Sequence, residues 1–169
     1  MSNNIAVIQQ RAEKIALVND GEQQFVLGTT VQDVDTGYIY KYVQVDADSA
    51  NASSAGRLFY SSADGKNIVT DDYTGGTPAG LTNMPAGIGI GTITKGNFGF
   101  LLVDGEYAAI LKETGTISVG GILIVGDQDG RVTTKASAGA AITAPTVGVC
   151  KVAPASAGVL TVAGFVSLL

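Results

Sequence analysis

The chain spells one hairpin pattern twice. Gly56-Arg57-Leu58-Phe59-Tyr60 leads to Asp64-Gly65-Lys66 and then Ile68-Val69-Thr70; Gly121-Ile122-Leu123-Ile124-Val125 leads to Asp129-Gly130-Arg131 and then Val132-Thr133-Thr134. In each copy an apolar, β-branched or aromatic run is followed by Asp-Gly and a base, and then by a second β run. Glycine in that place supplies the positive φ that a hairpin turn demands of its backbone. The likeness continues downstream. Ile88-Gly89-Ile90 matches Val147-Gly148-Val149, and Phe98 to Gly105 matches Ala157 to Gly164. Each copy therefore reads as hairpin, loop, strand, short turn, strand, with the unequal loops Asp71 to Met84 and Lys135 to Ala144 between blocks.

Around these units lie further β segments. Tyr38-Ile39-Tyr40-Lys41-Tyr42-Val43-Gln44-Val45 is rich in aromatic and β-branched residues. Its period of two puts Tyr38, Tyr40 and Tyr42 on one face and Ile39, Val43 and Val45 on the other. Glu106 to Lys112 reads as another strand, and Asp46 to Gly56, rich in Ala, Ser, Asn and Asp, as a loop. Residues 1–30 alternate only loosely through Ile5, Val7, Ile15, Leu17, Phe25 and Leu27, which fits an N-terminal arm or edge strands. The expected fold is all-β: a β-sandwich or partly closed β-barrel with an internal duplication and an extended N-terminal segment. Residues 31–169 form a single β domain of two related units, about 56–105 and 121–164.

Composition narrows the function classes. With 46% hydrophobic residues in 169 the chain can fill a core, and 23 glycines against four prolines suit short strands and tight turns. Ten basic residues against fifteen acidic ones, unclustered, leave no footprint for nucleic acid or for an anionic membrane. No apolar run approaches the ~18 residues that span a bilayer. Met1-Ser2-Asn3-Asn4 carries no cationic region ahead of an apolar one, so no secretory leader is expected and synthesis in a cytoplasm is. Histidine is absent, which removes the commonest general base and metal ligand. The single cysteine, Cys150, allows no intrachain disulfide and sits in the apolar run Val147 to Val152, where an inert thiol is expected.

The motifs that suggest chemistry fail on their context. Gly87-Ile88-Gly89-Ile90-Gly91 lacks the following helix that a phosphate loop needs, since Thr92-Ile93-Thr94-Lys95-Gly96-Asn97 is β-like and then a turn. Alternating glycine in a strand marks close packing instead. Asp127-Gln128-Asp129-Gly130 begins like a calcium loop, but Arg131 and Val132 occupy its later positions and no glutamate closes it. The acid pairs Asp33 and Asp35, Asp46 and Asp48, and Asp71 and Asp72 lie in or beside polar loops and read as surface acids. A hydrolase using paired acids such as Asp71 and Asp72 is the remote alternative. No catalytic residue, cofactor or metal ligand is assigned, and a non-enzymatic role is expected.

The tyrosine stripe admits two readings: a contact surface, since Tyr is enriched at interfaces, or one wall of the core. As candidates for intermolecular contact we take Ile5, Val7, Ile15, Leu17, Tyr38, Tyr40, Tyr42, Tyr73 and Met84.

In its glycine-rich strands Gly87 to Ile93 and Gly99 to Gly105, its hairpin Gly121 to Thr134, and its last strands Val147 to Leu169, the chain resembles the capsid decoration, or cement, proteins of tailed bacteriophages. The resemblance covers about residues 56–169 and is one of pattern and composition. It implies a virion protein on the outer capsid surface that stabilises the shell by bridging major capsid protein subunits, often as a homotrimer, with attachment through an N-terminal arm. The alternative is a receptor- or carbohydrate-binding module of a phage fibre or tail, motivated by the tyrosine stripe and the loop Asp71 to Met84.

Overall fold

Two β-rich blocks share one long strand. The computed structural model describes residues 15–49, 55–62, 66–72, 84–134, 144–156 and 161–168. The strands among these residues are β1 (Thr30–Gln32), β2 (Ile39–Val45), β3 (Leu58–Ser61), β4 (Ile68–Thr70), β5 (Pro85–Gly89), β6 (Phe98–Leu111), β7 (Ile122–Val125), β8 (Val132–Thr134), β9 (Thr146–Val152) and β10 (Thr161–Ser167). They form one sheet in the order β1-β2-β4-β3-β5-β6-β10-β9-β7-β8, and a further pairing of β2 with β6 closes β2, β4, β3, β5 and β6 into a five-stranded barrel. The protein is all-β, with a closed barrel and a sheet extending from it.

Both expected hairpins are present: β3 pairs β4 and β7 pairs β8, each antiparallel. In the second, Arg131 N–H donates to Gln128 O over 3.2 Å, which places Asp129 and Gly130 at the centre of the turn, and Gly130 has φ 65°. The first turn's Asp64-Gly65 lies outside the described residues. Sheet order repeats too: β4-β3-β5-β6 and β8-β7-β9-β10 run in the same relative order and meet along the β6–β10 pairing. Their registers differ, since Leu58 stands opposite Ile88 whereas Leu123 stands opposite Gly148.

Closing the barrel gives β2 two buried faces. Val43 and Val45 point inward with Phe59, Val69, Ala86 and Leu101, one or more side chains from each of the five strands, and Ile93 joins them. Tyr40 and Tyr42 point the other way, into a larger core with Leu58, Ile88, Phe98, Phe100 and Leu102, where the second block contributes Leu123, Val147 and Val166. Tyr42 lies 5.0 Å from Phe100 and 5.1 Å from Phe25 between ring centroids, the latter edge-on. The two-faced reading of Tyr38 to Val45 therefore holds for its pattern, and both faces are interior.

One boundary differs from expectation. Gly105 does not end a strand; β6 runs on through it to Leu111, so Phe98 to Gly105 and Glu106 to Lys112 are one element. The first part pairs with β2 and β5 in the barrel, and the part from Asp104 onward pairs with β10. At the crossing Gly105 has φ 138°, and a Cβ there would sit 2.5 Å from Cγ of Tyr38. Lacking a side chain, Gly105 lets the strand pass beneath the Tyr38 ring and change partners.

Residues 15–29 are docked against the body and are not a free arm. Ile15 is buried in the larger core, and Phe25 and Leu27 pack against it. Asp20 and Phe98 exchange backbone hydrogen bonds of 3.0 and 2.9 Å. The Asn19 carboxamide donates to Thr94 Oγ1 and accepts from the Thr94 backbone N–H, at 3.1 and 2.8 Å. Residues 1–14, the rest of the expected arm, lie outside the described residues.

Candidate functional site

Several acidic side chains are tied to turns and hairpin ends. Asp71 is fully buried: its Oδ1 accepts from Ser49 Oγ at 2.6 Å, its backbone N–H donates to Ser49 Oγ at 3.1 Å, and its Oδ2 lies 3.3 Å from Arg57 Nη1. Arg57 also donates to the backbone carbonyl of Asp129, and Leu58 N–H to that of Gly130, at 3.3 and 2.9 Å. The start of the first hairpin thus holds the turn of the second. Asp72, the other member of that pair, is partly exposed, and burial, then the charges of Asp129 and Asp71, push its carboxyl above the ordinary range.

The remaining pairs act locally. Asp33 is buried and its Oδ2 accepts from the backbone N–H and hydroxyl of Thr36, closing the β1–β2 turn. Asp46 accepts from Asp48 N–H at 2.9 Å through Oδ1 and from Ser62 Oγ at 2.7 Å through Oδ2. These three acids are built into the scaffold, so the reading of all the pairs as surface acids is corrected: Asp33 and Asp71 are buried because their lone pairs find donors inside the fold.

The calcium-like turn presents donors, not acceptors. The N–H groups of Asp127 and Gln128 both point at Glu113 Oε1, the latter over 2.9 Å. A cation needs converging oxygen acceptors, whereas this turn's backbone N–H groups converge on an anion, the Glu113 carboxylate. Among the described residues no group of three or more His, Cys, Asp or Glu is placed to hold a metal ion. The glycines at 87 and 91 serve close approach: a Cβ at Gly87 would lie 2.6 Å from Leu101 Cβ, and one at Gly91 2.0 Å from the Ala16 carbonyl oxygen. Cys150 is buried, and burial pushes its thiol up. A surface hollow of about 270 Å³ beside the β1–β2 turn is lined by Gln32, Asp33, Val34 and Gly37.

Lys112 is fully buried beyond the end of β6, with Nζ donating to the carbonyls of Glu113 at 3.1 Å and Gly115 at 2.8 Å. It organises the connection from β6 toward β7. Nothing in the spacing of the sequence marks this lysine as interior.

The candidate contact residues separate. Leu17 is 82% exposed and Met84 48%, so both stand on the surface. Ile15, Tyr40 and Tyr42 are corrected: they are core residues, because the inward face of β2 and the docked N-terminal segment bury them. Tyr38 is half-buried over Gly105. Ile5, Val7 and Tyr73 lie outside the described residues.

Sequence reading missed a second group of exposed apolar residues: Val26, Val34, Val119, Val149, Val152 and Phe165. For Phe165 the signal was available. Alternation in Thr161–Ser167 turns Val162, Gly164 and Val166 to one face and Phe165 to the other, and the glycine-flanked valines are the buried set. No protein-family model matches the chain, and no curated protein matches it.

Proposed function

We propose that the chain is a structural virion protein that binds the outer surface of a phage capsid and stabilises it by bridging major capsid protein subunits. The observation that carries the reading is the division of labour among its side chains. The buried acids and Arg57 tie turns and hairpins together, while Leu17, Met84 and a set of valines stand on the surface. A body held by internal polar staples and carrying apolar surface groups suits a protein whose work is contact. A ligand that binds only the assembled shell stabilises it by mass action. No helix among the described residues is long and apolar enough to cross a membrane. The carbohydrate-binding alternative loses its stacking platform, because Tyr40 and Tyr42 face the core.

The experiment is co-sedimentation of the purified full chain with phage heads that lack decoration. Saturable binding at a fixed number of copies per head, with heads that then resist heat better, is expected. Failure to bind removes the proposal.

A further inference from the structure

Asp-Gly closes readily into a cyclic imide, because glycine puts no side chain beside the attacking nitrogen. The pair occurs four times, at Asp20, Asp64, Asp104 and Asp129. Three of these lie in described residues, and the fold treats them differently. Asp104 and Gly105 sit inside β6 with a strand on either side: Asp104 stands opposite Ile39 of β2 and Ser167 of β10, and Gly105 opposite Val166. The Tyr38 ring covers Gly105. Asp129 and Gly130 are held at the second hairpin's turn, where Arg57 donates to the Asp129 carbonyl and Leu58 N–H to that of Gly130. A Cβ on Gly130 would lie 3.2 Å from Arg57 Cγ. Gly21 is the contrast. It is exposed, a Cβ on it would meet nothing within 4 Å, and its N–H meets no acceptor among the described residues. Asp20 is joined to the body by one isolated bridge, to Phe98.

We propose that Asp20 is a site of spontaneous covalent modification, where isomerisation to isoaspartate releases the docked N-terminal segment. The Gly21 nitrogen attacks Cγ of the protonated Asp20 carboxyl. The N–Cγ bond forms, the Cγ–OH bond breaks, and the hydroxyl leaves as water with the proton of the amide. Water then opens the imide at the main-chain carbonyl, so the chain runs on through the Asp20 side chain, one methylene longer, and an α-carboxylate stays behind. Ring closure needs Gly21 N and Asp20 Cγ on the same side of the Cα–C bond, so the Asp20 peptide must first turn out of its pairing with Phe98. At Asp20 this takes only local opening of a segment held beside the bridge by exposed bonds from Asn19 to Thr94 and Asn97. At Asp104 strands on both sides of β6 would have to part, which is far rarer. The added methylene changes the spacing between the Phe98 bridge and Phe25, whose ring packs 5.1 Å from that of Tyr42. Close-packed seats do not absorb such a change, and the segment loses one of them. The modification does not depend on capsid binding.

The test is peptide mapping of the full chain after incubation in warm, mildly acidic buffer, with electron-transfer fragmentation to tell isoaspartate from aspartate at equal mass. Wild type, Asp20→Glu and Asn19→Ala are compared, with circular dichroism confirming that each is folded, and urea-unfolded wild type gives the rates without structure. In folded wild type, isoaspartate is expected to build up at Asp20 ahead of Asp104 and Asp129, whereas unfolding brings the three sites together. Asp20→Glu is expected to lose the signal at that position. Asn19→Ala, which removes the bonds to Thr94 and Asn97, is expected to raise it. The isoaspartate-bearing fraction is expected to be cleaved faster than fresh protein within residues 15–20. Isoaspartate forming in the folded chain at Asp104 or Asp129 as fast as at Asp20, or none forming at Asp20 while the unfolded chain isomerises, overturns the proposal. An unchanged rate in Asn19→Ala, or unchanged cleavage of the modified fraction, overturns the link to the docked segment.

Discussion

The Arg57 guanidinium sits 3.3 Å from the carboxylate of Asp71, at the flank of the β3–β4 hairpin, with Asp71 fully buried. The same guanidinium reaches the Asp129 carbonyl, so one side chain ties the two hairpins together. Removing the acid takes away the buried carboxylate that Arg57 faces and that Ser49 donates to. Asp71→Ala should cost about 3–5 kcal/mol, read as a lower urea midpoint with unchanged slope. A loss of under about 0.5 kcal/mol would place the pair among ordinary surface contacts.

Asp72 behaves in the opposite sense. Burial, and then Asp129 and Asp71, raise its carboxyl above the ordinary value of 3.8, so the folded state holds the proton more tightly than the unfolded one. Its favourable contribution is present below that ordinary value and is lost as pH rises through the raised value. Asp72→Asn should therefore melt higher than wild type at neutral pH. The gap should close as the pH falls below 3.8. Thermal scans across acid pH read both effects; a variant that melts lower at neutral pH contradicts the assignment.

Tyr40 sets the alkaline limit. Burial, then Asp33 and Tyr38, push its hydroxyl from 10.0 up to about 12. Between those values the unfolded chain has lost the proton and the folded chain keeps it, so stability falls with rising pH across that window. Tyr42 and Tyr107 are shifted in the same direction by burial. Tyr40→Phe should lose less stability than wild type on going from about pH 8 to about pH 11, measured as urea midpoints. Equal losses in the two proteins would remove Tyr40 from this role.

Gly91 tests the docked N-terminal segment. A Cβ there would come within 2.0 Å of the Ala16 carbonyl oxygen, so the backbone of one segment must move. Gly91→Ala should cost about 1–3 kcal/mol and speed proteolysis at residues 15–20, the segment it displaces. Ile15→Ala, which empties a core position on the same segment, should cost about 2–5 kcal/mol. A stable Gly91→Ala protein with unchanged cleavage would show that the segment is not held there.

Much of the architecture was legible because it is written in short-range pattern. Asp129-Gly130 marks its turn through the one residue that tolerates a φ of 65°, and the β-branched runs beside it pair as their spacing suggests. Alternation in Tyr38 to Val45 correctly separated the tyrosines from Val43 and Val45. Pattern could not say that both faces would be buried, since that depends on β6 returning to pair with β2 across the barrel. Ile15 and Leu17 look alike in sequence, yet one is buried and the other 82% exposed, because only one faces the barrel wall.

By itself, then, the sequence determined the all-β class, the two hairpins and the glycine positions where chains approach closely. These follow from local backbone preference and a period of two. Tertiary structure alone decided that β6 continues past Gly105, that Asp71 and Lys112 are interior, and that Tyr42 is buried between the two blocks. Each of these depends on which distant strand supplies the neighbour, and burial and hydrogen bonding at a residue are set by that neighbour.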